Sequence, residues 1–563
     1  MYKNKRSGFV MDKVTSFFLS VLAFFLAPLI FIFPCANDYA FEIDTAVTGG
    51  TLPNAVSNVN IWNAKGSADF ANPRINEENN VFDFVEYVQL MQCTGGAVDR
   101  DLFVDPLDFD TLDDYDFSSL ITSCKGILAY GAKPHLKLGS VPLKYSALAR
   151  TDTTFGTNIY PPDDYDVYYN YIYALCEALV AEFGKEELLS WRYGVMTEYE
   201  NADWFKASDG TPESTAIAYC KLYDYTVDAL QKAIGEGVFV GAHSMTVTEG
   251  LWDEGIFIEH CAKGTNYKTG AKGTRICFLA ASFYDVRPGE FTSGMTLYEC
   301  IDFLQEKAEN AGLEGLIYGI DEGRILYGIS SGADDNQLLS RTVGYTYQAA
   351  YDARLYTQLF RSGGDYLSSW QYLSNGLFDG NPAITYHVAR NVSKFGGMTE
   401  IKTENTKKGL LVQSEVDCVS AVDPENGNVL LMAYNFKNDL NYKNSIDAEL
   451  SVKVPYADGS EVQVKLYRID DSCNYFDDWM KDRETYGIGD DCFGWSPDCP
   501  VFEGMLRDEN ARSIYFGELR EKYKECSVLT PETVTMTVEN GSLTISETIN
   551  PNGVLFAEIA EVK

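Results

Sequence analysis

Two glutamates stand at the ends of apolar segments, where carboxyl groups can do acid–base and nucleophilic work. The segment 191–201 reads W-R-Y-G-V-M-T-E-Y-E-N and sets Glu198 after a strand-like run; 316–323 reads L-I-Y-G-I-D-E-G and sets Glu322 in the same way. A pair of carboxyl groups flanking one bond is what glycoside hydrolysis needs. One protonates the leaving oxygen, so its surroundings must raise its pKa; the other attacks the anomeric carbon as a carboxylate. A separation of about 5–5.5 Å marks the retaining, covalent route. Glu200 and Asp321 sit close enough to compete for either role, and with 82 acidic residues in the chain an acidic rim is the plain alternative.

Elements that could position such a pair are visible in the periodicity. Apolar or β-branched runs at 58–64, 96–103, 133–140, 191–198, 237–245, 274–284, 314–322 and 365–373 alternate with amphipathic stretches such as Tyr168–Phe183 and Tyr219–Ile234. Eight strands separated by helices predict an α/β fold, the parallel (β/α)8 TIM barrel, whose chemistry sits at the C-terminal strand ends. The fourth and seventh strands, carrying Glu198 and Glu322, face each other across such a barrel. A doubly wound open sheet is the competing topology, and no Gly-rich phosphate loop supports it. From about residue 391 short alternating strands and turns such as Asn540-Gly541 predict an antiparallel β-sandwich. The expected organisation is a leader over 1–36, a catalytic barrel over 45–390 and an accessory sandwich over 391–563.

Lys3, Lys5, Arg6 and Lys13 precede an apolar run from Val14 to Phe33, the pattern of a signal peptide or of an uncleaved N-terminal membrane anchor. Either implies an extracellular protein, secreted or tethered. A net charge of −37 excludes nucleic acid and anionic membrane surfaces as partners. Aromatics at 13% suit carbohydrate, whose C–H faces stack on rings. Of 13 cysteines, Cys35 lies in the leader and Cys492 with Cys499 could form a disulfide. The four histidines, His135, His243, His260 and His387, lack zinc spacing, so no metal and no cofactor is expected.

The surrounding residues carry a family likeness. Residues 161–204 (PPDDYDVYYNYIYALCEALVAEFGKEELLSWRYGVMTEYENADW), G-L-I-Y-G-I-D-E-G, K-P-H-L-K-L-G-S-V-P, D-Y-L-S-S-W, Y-R-I-D-D-S-C-N-Y-F-D-D-W and the closing N-P-N-G-V-L-F-A-E-I occur in order. The set resembles glycoside hydrolase family 39, the β-xylosidase and α-L-iduronidase family, over roughly residues 45–563. The resemblance implies that Glu198 is the acid/base and Glu322 the nucleophile. It further implies that Tyr284 orients the nucleophile and that Trp370 floors the sugar subsite.

Departures from the family pattern point to a changed sugar subsite. Thr197 replaces the Asn before the acid/base, and Tyr199-Glu200 replaces Pro-Asn. Asp99 and Asp101 stand where the resemblance puts Arg and His, Ser282-Phe283-Tyr284 replaces His-x-Tyr, and His243 is unusual for its place. Thr197, His243, Asp99, Asp101 and Glu200 are thus expected as substrate contacts. The leading expectation is a retaining glycosidase acting on extracellular oligo- or polysaccharide or glycoconjugate. A strict β-xylosidase and a non-catalytic carbohydrate-binding surface protein are the alternatives. Homo-oligomers occur among relatives of this kind, and that expectation is carried here.

Overall fold

The computed structural model describes residues 38–61, 80–247, 250–285, 295–325, 345–369, 382–409, 413–492, 506 and 508–562. The leader, Trp370 and Cys499 lie outside the described residues. No described helix is long and apolar enough to cross a membrane.

After a first strand, β1 (Asp38–Thr51), the chain closes an eight-stranded parallel barrel in sequence order. Its strands are β2 (Asn58–Ile61), β3 (Tyr87–Leu90), β4 (Lys133–Leu138), β5 (Arg192–Val195), β6 (Phe239–Met245), β7 (Phe278–Asp285), β8 (Ile317–Ile325) and β9 (Tyr366–Ser369). Val59 paired with Ser369 completes the ring. Seven of the eight expected strands fall where the periodicity puts them. The second does not: residues 96–103 form turns rather than a strand, and Tyr87–Leu90 takes that place.

Helices wrap the barrel, and three of them begin on clear capping signals. Asp164 accepts the N–H groups of Asp166 and Val167 ahead of helix α1 (Tyr165–Phe183). Thr211 caps α2 (Pro212–Ala233), with proline at the first helical position, where its missing N–H costs nothing. A reciprocal Thr296–Glu299 capping box starts α3 (Leu297–Ala311), and Gly312, at φ +85°, ends it.

The barrel interior is largely polar. Gln89, His135, Lys137, His243 and Asp321 point into it, and each is buried. Glycines make the room: a Cβ on Gly194 would meet His243 Cδ2 at 2.0 Å, and one on Gly319 would meet the Tyr366 ring at 2.3 Å. Arg192 closes the lower end, its guanidinium 3.8 Å from the Tyr87 ring centroid.

The second unit is a nine-stranded, mostly antiparallel sheet. Its strands after the barrel are β10 (Thr399–Lys407), β11 (Glu415–Val422), β12 (Val429–Phe436), β13 (Ile446–Lys453), β14 (Glu461–Ile469), β15 (Glu532–Thr537), β16 (Ser542–Ile549) and β17 (Val554–Glu561). Their order is β15-β14-β17-β12-β11-β10-β1-β13-β16. β1 therefore belongs to this sheet, pairing antiparallel with β10 and parallel with β13, and the expected start of the barrel at residue 45 moves past this strand. β12 reads V-L-L-M-A-Y-N-F without alternation because both its faces are covered. Val429, Leu431 and Ala433 enter the core of the sheet, and Leu430, Met432, Tyr434 and Phe436 pack toward the barrel. The helix α4 (Tyr347–Ser362) lies there, tied to β11 by Arg354–Glu415 at 2.7 Å and by Arg361–Asp417.

Candidate active site

The chain at the C-terminal end of β5 turns sharply. Met196 and Glu198 have φ of +65° and +42°, and Ser244, at the end of β6, has +43°. Such left-handed conformations in residues other than glycine cost about 1 kcal/mol or more and collect at functional sites. Backbone bonds between neighbouring strands hold them: Met196 N–H donates to the Leu138 carbonyl at 2.7 Å and Glu198 N–H to the Ser244 carbonyl at 2.9 Å. The turn delivers the Glu198 side chain, partly exposed, to the mouth of the barrel.

Glu322 arrives from β8, whose pairing slips against both neighbours around residues 320–323. The strand runs three residues beyond it, to Ile325. Glu322 is only 6% exposed and four donors converge on it. Lys137 Nζ at 2.9 Å, Thr197 Oγ1 at 3.0 Å and Ser244 Oγ at 3.2 Å all reach Oε1. Tyr284 Oη donates to Oε2 at 3.0 Å. The lysine, 2% exposed, also reaches Ser244 Oγ at 3.1 Å. An ammonium and three hydroxyls thus occupy the two oxygens of this carboxyl group.

Glu198 lives in the opposite environment. Burial and then the charge of Glu322 push its pKa up to about 8, against weaker opposition from the Ser282 hydroxyl. The Asn201 amide donates to its Oε2 at 3.2 Å. One carboxyl group thus keeps its proton near neutral pH, while the other lies against a lysine ammonium.

Beneath the pair, Asp321 ties the barrel strands together. Its Oδ1 accepts Gln89 Nε2 and Tyr366 Oη, both at 2.7 Å, and Oδ2 lies 2.7 Å from His243 Nδ1. Burial lowers the pKa of His243 and His135 well below the ordinary imidazole value, so both rings are neutral. His135, His243 and Asp321 are close enough that a cation could be imagined among them. Asp321 is engaged by Gln89, Tyr366 and His243, whereas both nitrogens of His135 and Nε2 of His243 are buried without a hydrogen-bond partner among the described residues.

Among the expected site residues, Glu198, Glu322, Tyr284 and Thr197 come together. Thr197 contacts the carboxylate of Glu322. Four others are corrected. Asp99 is on an exposed turn beside Arg100, at 3.5 Å. Asp101 is fully buried, its two oxygens accepting the N–H groups of Gly96 at 2.7 Å and Leu143 at 2.9 Å, so it organises loops. Glu200, also buried, grips the loop after β6 by accepting from Thr246 N–H, from Thr246 Oγ1 at 2.8 Å and from Val247 N–H at 3.2 Å. Burial raises its pKa to about 7. His243 has no exposure and supports Asp321 and Ser244 from below. Lys137, Ser244 and Asn201 were not singled out from sequence, and Asp321 was read only as a rival for a catalytic role. A lysine and a histidine two apart in the buried strand K-P-H-L-K-L were the available signal, because alternate positions share one face.

Comparison with known proteins agrees with this geometry. Residues 99–316 match the model of glycosyl hydrolases family 39. A β-xylosidase of Caldicellulosiruptor saccharolyticus is 30% identical over 127 residues, 23% of this chain and 25% of that protein. One of Geobacillus stearothermophilus is 26% identical over 152 residues, 26% of this chain and 28% of that protein. The aligned segment thus spans about a quarter of the length of each relative. In three dimensions a monomeric β-xylosidase of Caulobacter crescentus CB15 superposes with a TM-score of 0.65 at 15% identity, over 93% of this chain and all of that one. A family 39 enzyme of Xanthomonas axonopodis pv. citri gives 0.64 at 15% identity, over 93% and 97%. The fold is common to these structures, and the segment similar to glycosyl hydrolases family 39 runs through β4, β5, β6 and β7 of the barrel.

Proposed function

We propose that this protein is a retaining glycoside hydrolase in which Glu198 is the acid/base and Glu322 the nucleophile. The observation that carries the reading is the opposed setting of the two carboxyl groups: Glu198 raised to about 8 beside a negative charge, Glu322 anchored by Lys137 and three hydroxyls. Protonated Glu198 gives its proton to the glycosidic oxygen as the bond to the anomeric carbon breaks. Three donors crowd Oε1 and one meets Oε2, so Oε2 is the atom better placed to attack. Once Glu322 is esterified its charge is gone, and with it the main electrostatic reason for the raised pKa of Glu198. Glu198, left as a carboxylate by the first step, then takes a proton from the water that attacks the anomeric carbon, the bond to Glu322 breaks, and the hydrolysed product keeps the configuration of the substrate.

The β-xylosidases among its relatives make β-xylosides the first substrates to try, while Thr197 and Ser282 support a subsite of different shape. The basic and then apolar N-terminus supports action outside the cell, with the leader cleaved or kept as an anchor. The terminal strand pairs β14–β15 and β13–β16 share one core with the middle of the sheet, which supports a sheet curled into two facing layers.

A panel of aryl glycosides, with the anomer of the first product followed by proton NMR, tests this reading. The expected result is turnover of one sugar with retention, and azide rescue of Glu322→Ala to give a glycosyl azide of inverted configuration. Hydrolysis with inversion, or azide rescue with retained configuration, would refute the assignment of Glu322.

A further inference from the structure

A cavity of about 540 Å³ opens between the loops that follow β3 and β4, lined by Phe109, Leu143, Ser146, Ala149, Arg150 and Asp163 among others. Its size falls within the roughly 300–1,000 Å³ of small-molecule sites. Both loops leave the C-terminal ends of barrel strands and so lie on the face that carries Glu198 and Glu322. The second loop is fastened to the one that continues from Glu198. Lys206 N–H donates to the Ile159 carbonyl at 2.9 Å. Phe155 stacks flat on Trp204, with ring centroids 4.0 Å apart and planes 7° from parallel. An acid that protonates the leaving oxygen stands on the leaving-group side of the scissile bond, and the loop after β4 is fastened to the loop that follows that acid.

The lining has the two surfaces a sugar requires. Phe109 is 56% exposed, an unusual position for a phenyl ring, and with Leu143 and Ala149 it offers an apolar platform. Arg150, Asp163 and Ser146 supply polar groups around it. Ser146 is 5% exposed, yet its Oγ has no hydrogen-bond partner, and a buried hydroxyl left so costs free energy that a ligand hydroxyl would relieve.

Charge narrows the ligand. Lys144 is committed at 2.7 Å to Asp114 and at 2.7 Å to the Thr111 carbonyl. Arg150 lies 3.6 Å from Asp152. Asp163 accepts the Ala147 N–H at 2.6 Å. Each cation here is matched by an anion, so no surplus positive charge awaits a carboxylate or sulfate, and the chain as a whole carries −37. We propose that this cavity is a leaving-group-side subsite for the neutral sugars of an oligosaccharide, and that it selects against uronate- or sulfate-bearing glycans. The proposal rests on the hydrolase reading above.

The test uses the sugar identified by the aryl panel. kcat/KM is measured for the aryl glycoside, for unbranched neutral oligosaccharides of two to six units, and for the same oligosaccharides ending in a uronic acid on the leaving side. Wild type is compared with Phe109→Ala and Ser146→Ala. The expected result is a rise of about tenfold or more from two to four units. Phe109→Ala should remove most of that rise while leaving the aryl glycoside within about twofold, and the uronate-capped series should stay flat. A flat neutral series in the wild type, an equal loss on aryl glycoside and tetrasaccharide in Phe109→Ala, or preference for the uronate-capped series would overturn the subsite. Failure to hydrolyse any aryl glycoside would instead sink the hydrolase reading, and the subsite with it.

Discussion

Replacing Glu198 with glutamine should stabilise the protein at alkaline pH and leave it nearly unchanged in acid. In the folded protein Glu198 holds its proton to about pH 8, against an ordinary 4.5. Below pH 4.5 the folded and unfolded chains both carry that proton, and its contribution to stability is complete. Between 4.5 and about 8 the unfolded chain binds fewer protons than the folded one, so stability falls as pH rises; above 8 the loss is complete. At about 1.4 kcal/mol for each pH unit, the full loss is about 5 kcal/mol. Solvent reaching the partly exposed carboxyl trims that, and about 3–5 kcal/mol is the expected range. Glutamine has nearly the same shape and no charge to lose, so the variant escapes the penalty.

The assay is denaturant unfolding of wild type and Glu198→Gln at matched ionic strength from pH 4.5 to 9. The stability difference should be small at the acid end, widen in favour of the variant through neutrality and level off above about pH 8. In parallel, the alkaline limb of the wild-type kcat/KM profile should lie near pH 8 and be absent from the residual activity of the variant. A difference independent of pH would refute the reasoning, because it would mean that Glu198 is not held protonated by its surroundings.

Two further perturbations test the supports of the pair. Lys137→Met removes the ammonium while keeping most of its volume, stranding the Glu322 charge, and should destabilise by about 3–5 kcal/mol. Adding Glu322→Gln should restore most of that stability in a double-mutant cycle, whereas additive losses would deny the coupling. Gly194→Ala forces a Cβ to within 2.0 Å of the His243 ring. His243 and, through it, Asp321 and Ser244 must shift, costing about 1–3 kcal/mol. A fall in kcat should accompany that loss, and unchanged thermal unfolding and kcat would show that the floor of the barrel tolerates displacement.

What could be read from the sequence was what local pattern controls. Strands and helices of the barrel announce themselves by period, and Glu198 and Glu322 stand out because each follows a buried run. The second strand was misplaced for a definite reason. Y-V-Q-L is only four residues long, whereas G-A-V-D-R-D-L-F has a strand's length and apolar content. Its polar residues turn out to be spent on loop geometry: Arg100 on Gln92 and on the Gly156 carbonyl, Asp101 on the N–H groups of Gly96 and Leu143. Nothing local distinguishes an aspartate that caps a loop from one that meets a sugar. β1 is a similar case, since its pairing with β13 joins residues some 400 apart in the chain and leaves no mark on either segment alone.

The polar barrel interior explains why the reading of single residues stopped short. His243 was noticed as out of place and assigned to the substrate, yet its role depends on Gly194, which makes space for its ring, and on Asp321, which fixes its tautomer. Lys137 gains meaning only when β4, β5, β6 and β8 bring it against Thr197, Ser244 and Glu322. A lysine placed there without the carboxylate would pay a heavy desolvation cost, and the carboxylate without the lysine would do the same. Neither is intelligible as an isolated choice, so the chemistry at the mouth and the polar floor beneath it must have been fixed together. Substitutions that change the sugar held here should therefore be sought on the loops around the mouth, where Phe109 and Ser146 stand, rather than among the interlocked residues below.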